Sequence, residues 1–319
     1  MDEKGYLSAQ EAAEALGISV QTLYAYVSRG LIRSEVANER KRTHRYRLAD
    51  VQRLQARKEQ RRNPASAVEG ALHWGLPVLE SAITLIDDNR LYYRGQDVLQ
   101  LAVQSSVEQV AALIWGGAEA VDLFSTANVS PDFSRVEAVR PHLAELPPVE
   151  RFQTLLPLAA VDDLAGYDLR PAAVRQTGGR ILDLLTTLAA GQPPGTSIAR
   201  RLQQGWGPDK PEAAALINAA LILCADHELN VSSFTARCVA SAGATPYEVV
   251  VAGLSALQGV KHGRNTERVA ALFREAGSPQ GVQAALAGRL RRGESIPGFG
   301  HPLYPQGDPR GKLLLEQTV

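Results

Sequence analysis

Cysteine is scarce in this sequence. Its 319 residues hold two, Cys224 and Cys238, and neither belongs to a C-x-x-C pair. They supply no disulfide framework and fit a chain kept in a reducing cytoplasm. The first ten residues, MDEKGYLSAQ, are charged and lack an apolar core segment, so no secretory signal is read. The longest apolar run, Ala213 to Ala225, is too short to span a bilayer and is interrupted by Asn218. It reads as a buried helix, and no membrane partner is expected. There is no internal repeat, no metal-ligand cluster and no phosphate-binding glycine loop followed by Lys. A resident metal or permanently bound cofactor is therefore not expected.

Net charge is lacking as well, with 34 Lys/Arg against 34 Asp/Glu. That zero hides an asymmetry. Residues 1–63 hold 13 Lys/Arg and 8 Asp/Glu, a surplus of five positive charges that the rest of the chain balances. Different charge in different parts suggests different partners. At 45% apolar and 21% charged residues, the chain can bury a sizeable core, and its length suits two or three units.

The basic part has its own pattern. SAQEAAEALGIS predicts a short helix with Ala12, Ala13 and Leu16 on one face and Gly17 at its end. Ser19 suits the N-cap of a second helix, in which Val20, Leu23 and Val27 recur at helical spacing and Gly30 follows. Two short helices joined by three residues have helix-turn-helix spacing. Beyond them, residues 31–48 fit two strands around the basic tip Arg40-Lys41-Arg42, then a helix anchored by Val51 and Leu54. Residues 1–62 thus resemble the winged helix-turn-helix module of the MerR and excisionase families. The resemblance implies double-stranded DNA as a partner. Gln21, Thr22, Tyr24 and Arg29 would face a major groove, and Arg40, Lys41 and Arg42 would meet phosphates. The competing reading is a protein-binding appendage with a solvated basic face.

A linker is expected at 63–75. The remainder reads as mainly α, with helical lengths around 96–115, 135–147, 150–163, 171–190, 211–225, 231–242, 246–258, 265–276 and 279–292. The exception is 81–95, where β-branched residues flank Asp87-Asp88-Asn89 and predict a small hairpin.

Three of the six histidines, His44, His73 and His142, need nothing beyond a surface reading. His227 follows the buried helix in CADHELNVSSFTAR. His262 lies in LQGVKHGRNTERV and His301 in IPGFGHPLYPQGDPR, both beside glycines that let backbone approach a ligand closely. A helix starts just after His262, where its N-terminus favours a neutral imidazole.

With these segments a resemblance becomes specific. ADHELNVSSFTARCVASAGATPYEVVVAGLSALQGVKHG, ESAITLIDDNRLYYRGQDVLQLA and GFGHPLYPQGDPR are similar to citrate synthase, from about Leu76 to the last residue. The resemblance implies a multi-helix fold of a large and a small domain, preceded here by the winged module, and a homodimer when full length. It implies a condensation of acetyl-CoA with oxaloacetate to citrate and CoA, both being substrates rather than resident cofactors. By matching position, His227 would hold an oxaloacetate carboxylate and Arg310 would clamp one. His262 would bond the thioester oxygen, His301 would polarise the keto oxygen, and the backbone of Ile296, Pro297, Gly298, Phe299 and Gly300 would lie against the CoA adenine.

Departures are visible too. The His-Gly turn continues Arg264-Asn265-Thr266-Glu267 where the family has Gly-Ala-Asn-Glu, Pro302 stands where Arg is frequent, and Cys224 where His is frequent. Asp308-Pro309 reads as N-cap and N1 of a helix rather than as a base, and Asp226 as structural. The family's proton-abstracting Asp and two more substrate Arg would fall beyond Val319. The chain as given is therefore expected to turn over weakly or not at all, and Leu313, Leu314 and Leu315 to lack a packing partner. Two other readings stay open: 2-methylcitrate synthesis, and a regulator that uses the body to sense an acyl-CoA or oxo acid.

Overall fold

A computed structural model describes residues 6–28, 31–38, 43–48, 50–52, 54–55, 81–87, 89–116, 123–124, 131–193, 195–228, 230–301, 303–304 and 306–318. The chain divides into two compact units, Met1–Val78 and Leu79–Val319. The expected linker at 63–75 lies outside the described residues.

In the first unit, Ser8 and Glu11 form a capping box that starts helix α1 (Ala9–Leu16), and Gly17 ends it at φ 59°. Ser19 Oγ accepts from Thr22 N at 3.2 Å and starts helix α2 (Val20–Ser28). Strands β1 (Tyr6–Leu7), β2 (Ser34–Asn38) and β3 (Thr43–Arg47) form an antiparallel sheet in the order β1-β3-β2. Ala12, Ala13, Leu16, Leu23, Ile32, Tyr46 and Val51 make its core, with Val20, Val27 and Leu54 packed against them. Asp50 is buried at 4% exposure and takes both Nε and Nη2 of Arg33 at 3.0 Å. The expected helix-turn-helix and two strands are present. The wing tip, Arg40 to Arg42, is outside the described residues, as is Arg29.

The second unit opens with strand β4 (Thr84–Asp87) and strand β5 (Arg90–Tyr93), paired so that Asp87 faces Arg90. Asn89 takes φ 63°, as a two-residue hairpin turn requires. Strand β6 (Gln96–Asp97) adds to β5, and Asp97 caps helix α3 (Val98–Gln104). The helix expected at 96–115 is therefore two helices, because Ser106 and Gln109 form a second capping box that starts helix α4 (Val107–Ile114). Asn218, the polar residue in the long apolar run, secures the break. Its Oδ1 accepts from Val107 N at 3.1 Å and its Nδ2 donates to Ser105 O at 2.9 Å.

Among the described residues ten α-helices follow: α5 (Ser134–Val139), α6 (Pro148–Asp162), α7 (Pro171–Ala190), α8 (Ile198–Trp206), α9 (Ala213–Leu223), α10 (Val231–Ser241), α11 (Pro246–Leu257), α12 (Asn265–Ala276), α13 (Val282–Arg291) and α14 (Pro309–Glu316). The expected helix at 135–147 stops at Val139 and continues as a 3₁₀ turn, Arg140–Leu143, because Pro141 withholds an N–H. Helix α8 was not expected. Its core face mixes Ile198, Ala199 and Leu202 with Arg201, which is 2% exposed and paired with Asp183. A buried cation breaks the apolar rhythm that marks a helix.

Among the described residues two larger apolar clusters and a smaller one, Ala190, Ile198 and Leu202, form the body. One joins Leu91, Tyr93, Val98, Leu101, Val110, Ala219, Ile222 and Leu223. The other joins Val136, Leu155, Leu156, Ile181, Leu184, Leu188 and Tyr247. Leu313 and Leu314 pack against the first cluster. The expectation that the terminal leucines lack a partner is thus corrected for two of three, since α9 and α3 receive them; Leu315 stays 69% exposed. Beside the second cluster, Asp163 accepts from Arg180 Nε at 2.8 Å and from the Tyr247 hydroxyl at 2.9 Å, and Thr177 takes Arg180 Nη2 at 2.9 Å. All four polar groups are hydrogen-bonded, as burial demands.

Candidate active site

His227 sits in the loop after α9, and the hairpin shapes that loop. Tyr93 is fully buried, and its hydroxyl accepts from Asp226 N at 3.1 Å and lies 2.9 Å from Asp226 O. Thr84 of β4 hydrogen-bonds the Asp226 carboxylate, and Glu228 Oε1 accepts from Ile86 N at 3.3 Å. Glu228 itself takes φ 55°, a left-handed conformation that a side-chain-bearing residue adopts at a cost. Burial pushes the Asp226 carboxyl above its ordinary range despite the Thr84 hydroxyl. Asp226 thus ties the loop after α9 to β4.

His301 comes to His227 from the glycine-rich loop before α14. The ring centroids are 5.0 Å apart, edge to face. Tyr304, 1% exposed, completes the group: its hydroxyl is 2.9 Å from His227 Nε2 and its ring is 5.2 Å from that of His301. The Arg310 guanidinium lies 5.3 Å from the Tyr304 centroid. Asp308 caps α14 through Arg310 N at 3.0 Å, with Pro309 at the first helical position, as the sequence predicts.

Burial lowers His227 to about 4, helped by the nearby charge of Arg310 and by His301. Burial likewise lowers His301, again with Arg310 acting in the same direction. Both imidazoles are therefore neutral at pH 7, and each presents one N–H. Leu303 N donates to His301 Nδ1 at 3.2 Å, which leaves the His301 proton on Nε2.

His262 stands apart from that cluster. Its Nε2 is 3.0 Å from Ser232 Oγ, in the first turn of α10, and burial lowers its pKa. The Ser232 hydroxyl donates to Asn230 Oδ1 at 2.7 Å, which leaves its oxygen to accept from His262 Nε2. Gly263 is what allows the turn that carries His262: its N–H bonds Leu257 O at 2.9 Å, and a Cβ there would sit 2.4 Å from that carbonyl. Among the described residues, His262 makes no ring contact with His227 or His301.

The loop Ile296 to Gly300 lies over α12. Gly298 and Gly300 take φ 88° and 80°, and a Cβ on Gly298 would meet Val269 at 3.0 Å. Pro297 is buried, whereas Phe299 is 79% exposed. On α2 of the first unit, Gln21 and Tyr24 are exposed and Thr22 bonds Ser19. His44 and His142 are exposed; His73 lies outside the described residues. Among the described residues no group of three or more His, Cys, Asp or Glu is placed to hold a metal, and no helix is long and apolar enough to cross a membrane.

Sequence reasoning picked out His227, His262, His301 and Arg310. It missed Tyr304, Ser232 and Tyr93. Only the Pro-rich surroundings of Tyr304 hinted at a fixed loop, and nothing local marks Tyr93 as the anchor of a loop 133 residues away.

Residues 71–318 match the family described as citrate synthase, C-terminal domain. The chain belongs to the citrate synthase family. Within that family it is 31% identical to the citrate synthase of Mycolicibacterium smegmatis over 276 residues, 77% of this chain and 72% of that one. It is 33% identical to the 2-methylcitrate synthase of Mycobacterium tuberculosis over 263 residues, 74% of this chain and 65% of that one. The citrate synthase structure from Thermotoga maritima shares the fold, with a TM-score of 0.61 at 24% identity, over 76% of this chain and 72% of that chain. Residues 6–59 match a helix-turn-helix domain.

Proposed function

We propose that the second unit binds oxaloacetate and an acyl-CoA for a Claisen condensation that yields citrate and CoA. The observation that carries this reading is the convergence of His227, His301 and Arg310 around buried Tyr304. A 2-oxo dicarboxylate needs a cationic fork, N–H donors for its carboxylates, and a donor at its keto oxygen. Arg310 supplies the fork, His227 a carboxylate donor, and the His301 Nε2–H the donor that polarises the keto carbon for attack.

The acyl-CoA methyl is a very weak acid, so its enol must be stabilised as the proton leaves. The reading gives that task to His262, whose Nε2 is held by Ser232. The exposed Phe299 and the backbone from Ile296 to Gly300 would face the adenine. The nearby carboxylates among the described residues are committed, Asp308 to Arg310, Asp226 to Thr84 and Glu228 to the Ile86 N–H. The reading therefore assigns substrate binding and polarisation to these residues, and proton abstraction to neither Asp. Propionyl-CoA, giving 2-methylcitrate, suits the same donors.

The matched helix-turn-helix domain supports a second role, binding of double-stranded DNA through Gln21, Thr22, Tyr24 and Arg29, with Arg40, Lys41 and Arg42 on phosphates. We take the domains to be 1–62 and 76–319, and the protein to act as a cytoplasmic homodimer. Calorimetric titration with oxaloacetate and with pyruvate tests the site. Saturable binding of the dicarboxylate, weakened by His301→Ala and much weaker for pyruvate, is expected. Equal affinity for the two acids contradicts the reading.

A further inference from the structure

Tyr304 is buried, and a buried phenol without a partner is costly. Among the described residues its hydroxyl has one hydrogen-bond partner, His227 Nε2 at 2.9 Å. We propose that Tyr304 is a positioning residue, whose hydroxyl donates to His227 Nε2, fixes the imidazole proton on Nδ1, and so presents an N–H to a ligand carboxylate.

The protonation of both groups agrees with this direction of bonding. Burial pushes the Tyr304 phenol up to about 12, so it keeps its hydrogen at neutral pH. His227, lowered to about 4 chiefly by burial, carries a single proton. With Nε2 accepting, that proton is on Nδ1. His301 is set the other way, because the Leu303 N–H occupies its Nδ1. Two imidazoles 5.0 Å apart thus hold opposite tautomers, each written by a different donor of the protein. The Tyr304 ring meanwhile lies against the Arg310 guanidinium, so one side chain orders two of the proposed carboxylate ligands through separate atoms. The role in ligand binding rests on the oxaloacetate reading above; the tautomer assignment does not.

Histidine-labelled protein without ligand, observed by long-range proton–nitrogen correlation at pH 7, tests it. His227 is expected with Nδ1 protonated and Nε2 accepting, and His301 with the reverse. Tyr304→Phe should release the His227 tautomer, leave His301 unchanged, and weaken oxaloacetate roughly tenfold while CoA affinity stays constant. Tyr304→Leu, which also removes the ring, should weaken oxaloacetate further. His227 protonated on Nε2 in the unaltered protein overturns the proposal, and that spectrum decides even if the variants fold poorly. Unchanged tautomer and affinity in Tyr304→Phe overturn it equally. If the unaltered protein binds no oxaloacetate while the spectra are as expected, the functional reading fails and the tautomer assignment holds.

Discussion

Asp308 grips Arg310 from two residues away, through Nε to Oδ1 at 3.0 Å and Nη2 to Oδ2 at 2.7 Å. Burial pulls Asp308 upward, but the hydrogen bonds and charge of Arg310 outweigh it and hold the carboxyl below its usual range. One edge of the guanidinium is thereby fixed, and among the described residues Nη1 has no hydrogen-bond partner. That free edge is the one the proposed substrate carboxylate would meet.

Arg310→Lys therefore keeps the charge but loses both the anchored edge and the fork. Oxaloacetate affinity should fall roughly ten- to hundredfold, with CoA affinity unchanged. Calorimetry with each ligand separates the two effects.

Gly263→Ala places a Cβ against the Leu257 carbonyl and side chain. The turn that carries His262 must shift, at a cost of about 1–3 kcal/mol. The melting temperature should drop, and acyl-CoA binding should weaken more than oxaloacetate binding. An unchanged melting temperature contradicts the packing argument.

In the core, Arg180→Met leaves Asp163 buried with its cationic partner gone. Loss of one partner of a buried pair costs about 3–5 kcal/mol. Tyr247→Phe removes one hydrogen bond to the same carboxylate and should cost about 1–2 kcal/mol. Denaturant titration of both variants should rank them in that order.

Stability should also depend on pH through His227. Unfolded, it takes up a proton near 6.5, whereas in the fold it does so at about 4. The unfolded chain binds more protons between those values, so the contribution is complete above about 6.5 and is lost as pH falls toward 4. His262 and His301, also lowered, act in the same direction. His227→Gln should flatten part of that slope in a series of urea titrations.

In the first unit, Tyr24→Ala removes a side chain 53% exposed on α2. Its effect on stability should stay within about 0.5 kcal/mol. Affinity for duplex DNA, followed by fluorescence anisotropy, should fall if α2 is the reading helix.

Local signals made most of this architecture legible. Gly17, Ser19, Asp308 and the Asp87–Asn89 turn mark boundaries through nearest-neighbour chemistry, and the structure puts boundaries there. Ser106 with Gln109 carried the same kind of signal, obscured by the apolar run around it. What stayed hidden depends on distant partners. Arg201 is buried because Asp183 meets it, and Leu313 and Leu314 are covered because α9 and α3 lie beneath them. At the site, His227 and His301 stood out by residue type and setting, and Arg310 by its position in the segment that resembles citrate synthase. Tyr304 did not, because its role comes from a bond across 77 positions of sequence.

The most direct test of the central claim is an oxaloacetate titration followed on the imidazole nitrogens. His227 and His301 should shift together and saturate, while His44 and His142, exposed and remote in role, stay still. Unmoved His227 and His301 signals, or shifts spread evenly over all the histidines, would contradict the assignment of this cluster to the oxo acid.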